Sequence, residues 1–185
     1  RLDAKSIITN QTVQQLSRVG EYIEVQSADA SGQVTISRAR HVLLALPPRL
    51  VAGRIAFEPP LPQELMTQWQ QTATWMAPHA KYVAVYETPF WRDNGLSGAA
   101  RSAIGPLTEI HDASTVDSHG ALFGFFGVSA QARQSVSDIV LKQHCRAQLV
   151  RLFGTQASSP VAEYLKDWAQ DLLTAMPADI NGNGQ

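Results

Sequence analysis

The first fifty residues show the period-two pattern of polar and apolar side chains that is typical of β-strands. Residues 22–27 alternate in this way, the polar stretch 28–32 predicts a turn, and residues 34–36 resume the alternation in a second strand. The apolar run 41–46 predicts a strand covered on both faces, which ends at the prolines 47–48 because proline lacks a backbone N–H. The beginning of the chain is therefore predicted to be rich in β-structure.

Two segments with apolar residues at helical spacing predict helices. The first spans 62–74, and the second, 135–153, is followed by Gly154, a residue that favours helix ends. Ser135 followed by Asp138 resembles a capping box at the start of the second helix. The buried face of that helix is predicted to consist of Val136, Ile139, Val140, Gln143, Ala147 and Val150.

The remaining apolar segments predict further strands. They lie at 80–88, 121–126 and 161–168, and two shorter strands flank the pair Gly105–Pro106. Strands that follow one another with two inserted helices indicate an α+β fold, with a largely antiparallel sheet flanked by helices.

Composition narrows the class of protein. The 185 residues are 44% hydrophobic, which is enough for one sizeable core. Fifteen basic residues balance sixteen acidic ones and are scattered, so a dedicated nucleic-acid binder is not expected. Cys145 is the only cysteine, which excludes an intramolecular disulfide and a cysteine-based metal site. No apolar run reaches the roughly 20 residues of a spanning helix. The compartment is left open, with the cytoplasm favoured.

Lys81 is the titratable residue of greatest interest. Alternation within the strand places it on the same side as Val83 and Val85. From this spacing alone, two interpretations are open. The side chain either extends along the rim of the sheet to reach water, or it points into a partly dry site where its ammonium can act in chemistry.

The polar segment 111–119 offers an alternative site. His111, Asp117 and His119 could serve a metal-dependent hydrolase, since these side chains are common metal ligands. Residues adjacent in a loop rarely converge on one catalytic centre, and Asp and Ser in such a loop are typical of tight turns. A solvated loop is the favoured interpretation, and no metal is predicted.

Several segments, taken in order, resemble the flavin-containing monoamine oxidase family over nearly the whole chain, from about Ser6 to Thr174. They are VLLALPP at 42–48, FEPPLP at 57–62, HAKY at 79–82, PFW at 89–91, DAS at 112–114, LFGFF at 122–126 and YLKDWA at 164–169. Each segment is short, and the specificity of the resemblance lies in their order and spacing.

The resemblance implies a division of the chain. Residues 1–50 would belong to the FAD-domain side, 51–170 to the substrate domain and 171–185 to a polar tail. The family's glycine-rich FAD-binding unit, its C-terminal flavin-covering segment and the paired aromatic residues of that part have no counterpart in the sequence. We therefore expect a truncated chain that is inactive alone.

The resemblance also implies site residues. Lys81 matches the lysine that reaches flavin N5 through a water molecule and assists the reaction of reduced flavin with oxygen. Trp168 matches the tryptophan beside the isoalloxazine ring. The further residues implied at the cofactor are Val13, Ala45, Pro47 and Pro48.

The activity implied for the parent protein is FAD-dependent oxidation of a small amine, with O2 reduced to H2O2. The alternative is a non-catalytic module that binds a ligand or a partner on the same sheet. Either version predicts an apolar surface exposed on the FAD side, through which the chain would self-associate.

Overall fold

The computed structural model describes residues 3–115 and 119–181. The chain forms two units, Arg1–Thr74 and Trp75–Gln185, each with its own sheet. The division falls after Thr74, within the range assigned from the sequence to the substrate domain. The assignment of 1–50, 51–170 and 171–185 to functional parts remains a prediction.

The first unit is built on a four-stranded mixed sheet. Its elements are a 3₁₀ helix at Ala4–Ser6, β1 (Thr12–Val19), β2 (Tyr22–Ala28), β3 (Val34–Ala39), α1 (Pro48–Arg54), β4 (Ala56–Glu58) and α2 (Gln63–Gln71). The strand order is β3-β2-β1-β4, antiparallel except for the parallel pair of β1 and β4. A small buried cluster of Leu16, Val51 and Ile55 joins the sheet to α1.

The predicted strand at 41–46 is wrong. This segment forms no regular element, and Leu43 is 90% exposed. Val42 and Leu44 pack against the small core, so the side chains alternate as in a strand. The described residues provide no neighbouring strand to complete a hydrogen-bonded ladder, and the apolar run therefore stays irregular.

The second unit is built on a five-stranded sheet. Its elements are β5 (Ala80–Tyr86), α3 (Phe90–Asp93), β6 (Ala100–Arg101), β7 (Leu107–Asp112), β8 (Gly120–Phe126), α4 (Ala130–Arg133), α5 (Asp138–Phe153), β9 (Ala162–Asp167) and α6 (Pro177–Asn181), with 3₁₀ helices at Thr155–Ser158 and Trp168–Gln170. The strand order is β6-β7-β8-β5-β9, antiparallel throughout. The predicted α+β class, a largely antiparallel sheet flanked by helices, is confirmed.

The two faces of this second sheet differ in burial. Tyr82, Ala84 and Tyr86 of β5 are buried and pack with α5 in the main core. We call this side the closed face. The intervening residues Lys81, Val83 and Val85 are half-buried on the opposite side, together with Phe123 and Phe125 of β8, and we call this side the open face. The period-two pattern read from the sequence thus separates the two environments.

Helix α5 buries a different stripe from the one predicted. Ile139 is 70% exposed, and the buried residues are Leu141, Cys145, Gln148, Leu149 and Phe153. Both stripes have helical spacing, and the buried one was not predicted because it contains the polar residue Gln148. The side-chain amide of Gln148 accepts from the Leu107 N–H at 2.8 Å and donates to the Leu107 carbonyl. A polar residue so paired can be buried.

The ends of α5 partly match expectation. The predicted capping box is wrong, since the Ser135 hydroxyl donates to the Ala132 carbonyl and the helix begins at Asp138. Gly154 ends the helix at φ 97°, a backbone conformation that favours glycine. In the described ranges, no helix has the length and apolar character needed to cross a membrane.

Part of the predicted polar tail is ordered. Residues 177–181 form α6, and Ala175 and Asp179 are both buried. The Met176 N–H donates to Asp179 Oδ2 at 3.0 Å. The described portion of this segment is therefore attached to the second unit.

Candidate functional site

Lys81 lies on the open face among aromatic rings. Its Nζ is 4.9 Å from the ring centroid of Phe125 and 6.0 Å from that of Phe123. Both rings belong to β8, whose Phe125 pairs with Lys81 in the antiparallel register. An ammonium over a ring face is attracted by the electron-rich π system. The lysine is half-buried and rests on an aromatic surface.

The charge of Lys81 has no carboxylate partner within the described residues. No hydrogen bond or ion pair there reaches its Nζ, in contrast to Lys166, its direct neighbour on β9. Lys166 forms an ion pair with Asp171, and its Nζ lies 4.8 Å from the ring centroid of Trp168. Lys81 and Lys166 thus lie side by side on one face and differ in their partners. A carboxylate balances the charge of Lys166, whereas none in the described residues balances that of Lys81.

Trp168 lies next to this pair of lysines. It follows the last residue of β9 and begins a 3₁₀ helix, and its N–H donates to the His79 carbonyl at 3.0 Å. This bond continues the β5–β9 pairing by one step, in which Ala80 opposes Asp167. Alternation then places Trp168 on the same face as Lys166 and Lys81. The structure brings these two predicted site residues onto one surface.

His111 also lies on the open face. Its ring stacks on Phe123 with centroids 5.2 Å apart, and its Nε2 is 3.1 Å from Glu109 Oε1. Asp117, invoked for the metal-hydrolase alternative, lies outside the described residues. Across residues 3–115 and 119–181, no group of three or more His, Cys, Asp or Glu could hold a metal ion.

Asp112 forms the turn that follows β7. Its carboxylate accepts from the Ser114 N–H at 2.8 Å and from Trp91 Nε1 at 2.9 Å, and it pairs with Arg92 at 2.8 Å. Burial acts to raise the pKa of Asp112, but the hydrogen bonds from Ser114, Trp91 and Arg92 outweigh it and lower the pKa to about 2. The turn therefore holds the fully buried Trp91 in place.

The closed face carries a polar network that sequence reasoning missed. The buried Tyr82 hydroxyl donates to Glu163 Oε1 at 2.6 Å, and Glu163 also forms an ion pair with Arg146. Burial, and then the bond to Glu163, raise the pKa of Tyr82. Burial likewise raises the pKa of Cys145, which keeps its thiol protonated and unreactive. The network thus links β5, α5 and β9 on the closed face.

The other predicted cofactor residues belong to the first unit. Val13 is half-buried in β1, where the register with β2 shifts between Val13 and Gln15. Ala45 is exposed in the irregular segment. Pro47 and Pro48 begin α1, with the Pro47 carbonyl accepting from the helix. Their role at a cofactor remains a prediction.

A cavity of about 750 Å³ also lies in the first unit. Its walls are largely apolar, including Leu16, Phe57 and Trp69, and they also carry two arginines and two glutamates: Arg18, Arg40, Glu21 and Glu58. None of the four predicted cofactor residues of this unit is among the residues that line it. Sequence patterns gave no signal for this cavity.

The chain matches the model of the flavin containing amine oxidoreductase family over residues 1–179. It is 37% identical to putrescine oxidase from Kocuria rosea over 156 residues, which cover 78% of this chain and 30% of that protein. The chain therefore belongs to the flavin containing amine oxidoreductase family, and the resemblance inferred from its sequence segments is confirmed.

Solved structures give the same result. A structure of putrescine oxidase bound to putrescine matches with a TM-score of 0.75 and 30% identity, covering 92% of this chain and 37% of that one. Cyclohexylamine oxidase from Brevibacterium oxydans matches with a TM-score of 0.71 and 28% identity, covering 88% and 35%. The chain thus spans about a third of the length of these relatives.

Proposed function

We propose that this chain is part of an FAD-dependent amine oxidase. The whole protein would convert a small amine, water and O2 into a carbonyl compound, ammonia or a shorter amine, and H2O2. Membership of the family and the likeness to putrescine and cyclohexylamine oxidases support this function. The single observation that carries it is Lys81, an ammonium on an aromatic face with no carboxylate partner among the described residues.

The composition of the open face supports a flavin as its ligand. Lys81 supplies one positive charge, Phe123 and Phe125 supply apolar surface, and Trp168 adds a flat indole on the same side of the sheet. A planar ring system with polar nitrogens is complementary to such a surface. When bound, FAD supplies the two-electron redox chemistry that amino acid side chains lack.

Lys81 would hold a proton and a positive charge where negative charge develops as oxygen is reduced. A fixed cation at that point stabilises the charge without reorganisation of solvent. The absence of a carboxylate partner among the described residues matters here, since an ion pair like that of Lys166 with Asp171 would neutralise the effect. Trp168 would exclude water from one side of the ring and fix its orientation.

The remaining cofactor residues are proposed on the first unit. Val13, Ala45, Pro47 and Pro48 would contact FAD through backbone and small side chains, which permit close approach. In this proposal residues 1–50 belong to the FAD side, 51–170 to the substrate domain and 171–185 to a polar tail. The separated chain would self-associate through the half-exposed open face, which sedimentation velocity would detect as a concentration-dependent shift.

The proposal is tested on the full-length protein. Purified protein is examined for the visible absorption bands of oxidised flavin and for H2O2 release with putrescine, cyclohexylamine and benzylamine, with catalase as a control. We expect bound flavin and H2O2 with at least one amine, and neither from the 185 residues alone. Full-length protein without flavin would contradict the proposal. Flavin without turnover of any amine would favour a non-catalytic binding module.

A further inference from the structure

A buried ion pair joins two elements at the edge of the candidate site. Arg133 is the last residue of α4 and Asp167 the last residue of β9, and their side chains are 1% and 5% exposed. Arg133 Nε donates to Asp167 Oδ2 and Arg133 Nη2 donates to Oδ1, both at 2.8 Å. Two parallel bonds of this kind fix the relative angle of the two groups as well as their distance.

The same guanidinium binds backbone carbonyls of two other segments. Nη2 donates to the Pro78 carbonyl at 2.8 Å, and Nη1 donates to the Val128 carbonyl. Pro78 precedes β5, the strand of Lys81, while Val128 follows β8, the strand of its aromatic neighbours. Arg133 therefore ties together the start of β5, the end of β8 and the end of β9.

Asp167 extends these connections to Trp168. Its Oδ1 accepts from the Ala169 N–H at 3.1 Å and so caps the 3₁₀ helix that begins at Trp168. On the other side, Trp168 N–H donates to the carbonyl of His79, which adjoins Pro78. The backbone around Trp168 is thus held on one side by Asp167, which Arg133 binds, and on the other by His79, which follows the Pro78 that Arg133 also binds.

We infer that Arg133 and Asp167 are positioning residues that hold Trp168 and Lys81 in one arrangement on the open face, an inference that rests on the proposed function. A buried ion pair contributes little net stability compared with apolar packing, and its best-attested use is to specify one arrangement. Sites that act on a ring need their groups held to within about 0.5 Å, which requires such support. Lysine cannot replace this arginine, because it lacks the planar fork.

The test uses the full-length protein labelled with 5-fluorotryptophan. Trp168→Phe assigns the ¹⁹F resonance of Trp168, and Arg133→Lys and Asp167→Asn each disrupt the pair. Arg146→Lys is the matched control, since Arg146 pairs with Glu163 on the closed face. The second measurement is the rate constant for reaction of the reduced protein with O2, alongside KM for the amine.

We expect the Trp168 resonance to shift or broaden in both variants and to stay in place in the control. The O2 rate constant should fall about tenfold in both variants and less than twofold in the control, because small misplacements of catalytic groups have large rate effects. KM for the amine should change less than the O2 rate constant.

Folded variants with an unmoved resonance and an unchanged O2 rate constant would overturn the inference. So would failure of both variants to fold while Arg146→Lys folds, since the pair would then serve the fold alone. A wild-type protein that oxidises no amine would refute the proposed function, and the ¹⁹F measurement would still decide whether the pair positions Trp168.

Discussion

The two faces of the second sheet are supplied by the same strands and have opposite properties. On the closed face, Tyr82 is fully buried and its hydroxyl is paired with Glu163. On the open face, Lys81 and Val83, the residues on either side of Tyr82 in β5, are half-buried. Lys81 has no carboxylate partner within the described residues. We therefore expect substitutions on the closed face to change mainly the stability of the fold and substitutions on the open face to change mainly the proposed chemistry.

The largest expected difference between the faces is in packing. Leu122 is fully buried on the closed face, and the adjacent Phe123 is half-buried on the open face. Leu122→Ala should lower the free energy of unfolding by about 2–5 kcal/mol, because it leaves a cavity in a close-packed core. Phe123→Ala should cost less than about 1.5 kcal/mol in the 185-residue chain, since the described residues leave the ring only half-buried. Urea unfolding of the 185-residue chain, at a dilution where it is monomeric, measures both.

An equal cost for the two substitutions would contradict this comparison. It would mean that Phe123 is covered in solution, either by another segment of this chain or by a second copy. Sedimentation velocity on the Phe123→Ala variant separates these two explanations, because only self-association depends on concentration.

A smaller difference is expected between ion pairs. Glu163→Gln on the closed face should cost about 1–2 kcal/mol, because the carboxylate accepts from both buried Tyr82 and Arg146. Asp171→Asn on the open face, which breaks the exposed pair with Lys166, should leave the unfolding midpoint unchanged. Thermal unfolding of the two variants and of wild type measures both effects. A larger decrease in stability for Asp171→Asn than for Glu163→Gln would contradict this prediction.

The last expected effect is a pH dependence at the edge of the closed face. The pKa of Asp112 is lowered from 3.8 to about 2, so its carboxylate stabilises the fold at higher pH. That contribution is fully present above about pH 4 and is lost as pH falls towards 2. The advantage of wild type over Asp112→Asn in unfolding free energy should therefore shrink between pH 5 and 2.5. A difference in unfolding free energy between wild type and Asp112→Asn that stays constant across this pH range would contradict the lowered pKa of Asp112.

Periodicity predicted the second sheet well because each of its long strands has one buried face. The pattern at 80–88 correctly placed Lys81 with Val83 and Val85. The same reasoning failed for 41–46, where the apolar run lacks a partner strand among the described residues. Apolar character predicts burial, whereas a strand also requires a neighbour to pair with.

The candidate site was only partly predictable. Lys81 and Trp168 followed from the family resemblance, and neighbouring positions on β5 and β9 place them on one face. The Arg133–Asp167 pair joins residues 34 positions apart and has no sequence pattern, so only the structure reveals it. The stripe of α5 was misassigned for a related reason, since burial of Gln148 depends on the distant backbone of Leu107.

The central claim is that the charge of Lys81, which no carboxylate in the described part of the chain balances, serves a bound flavin. The most direct measurement compares the O2 rate constant of reduced full-length Lys81→Met with that of Lys166→Met, its neighbour on the same face. We expect a decrease of at least about a hundredfold for Lys81→Met and less than about threefold for Lys166→Met, with both variants as stable as wild type. Equal rate constants for Lys81→Met and wild type, with flavin bound in both, would contradict the claim.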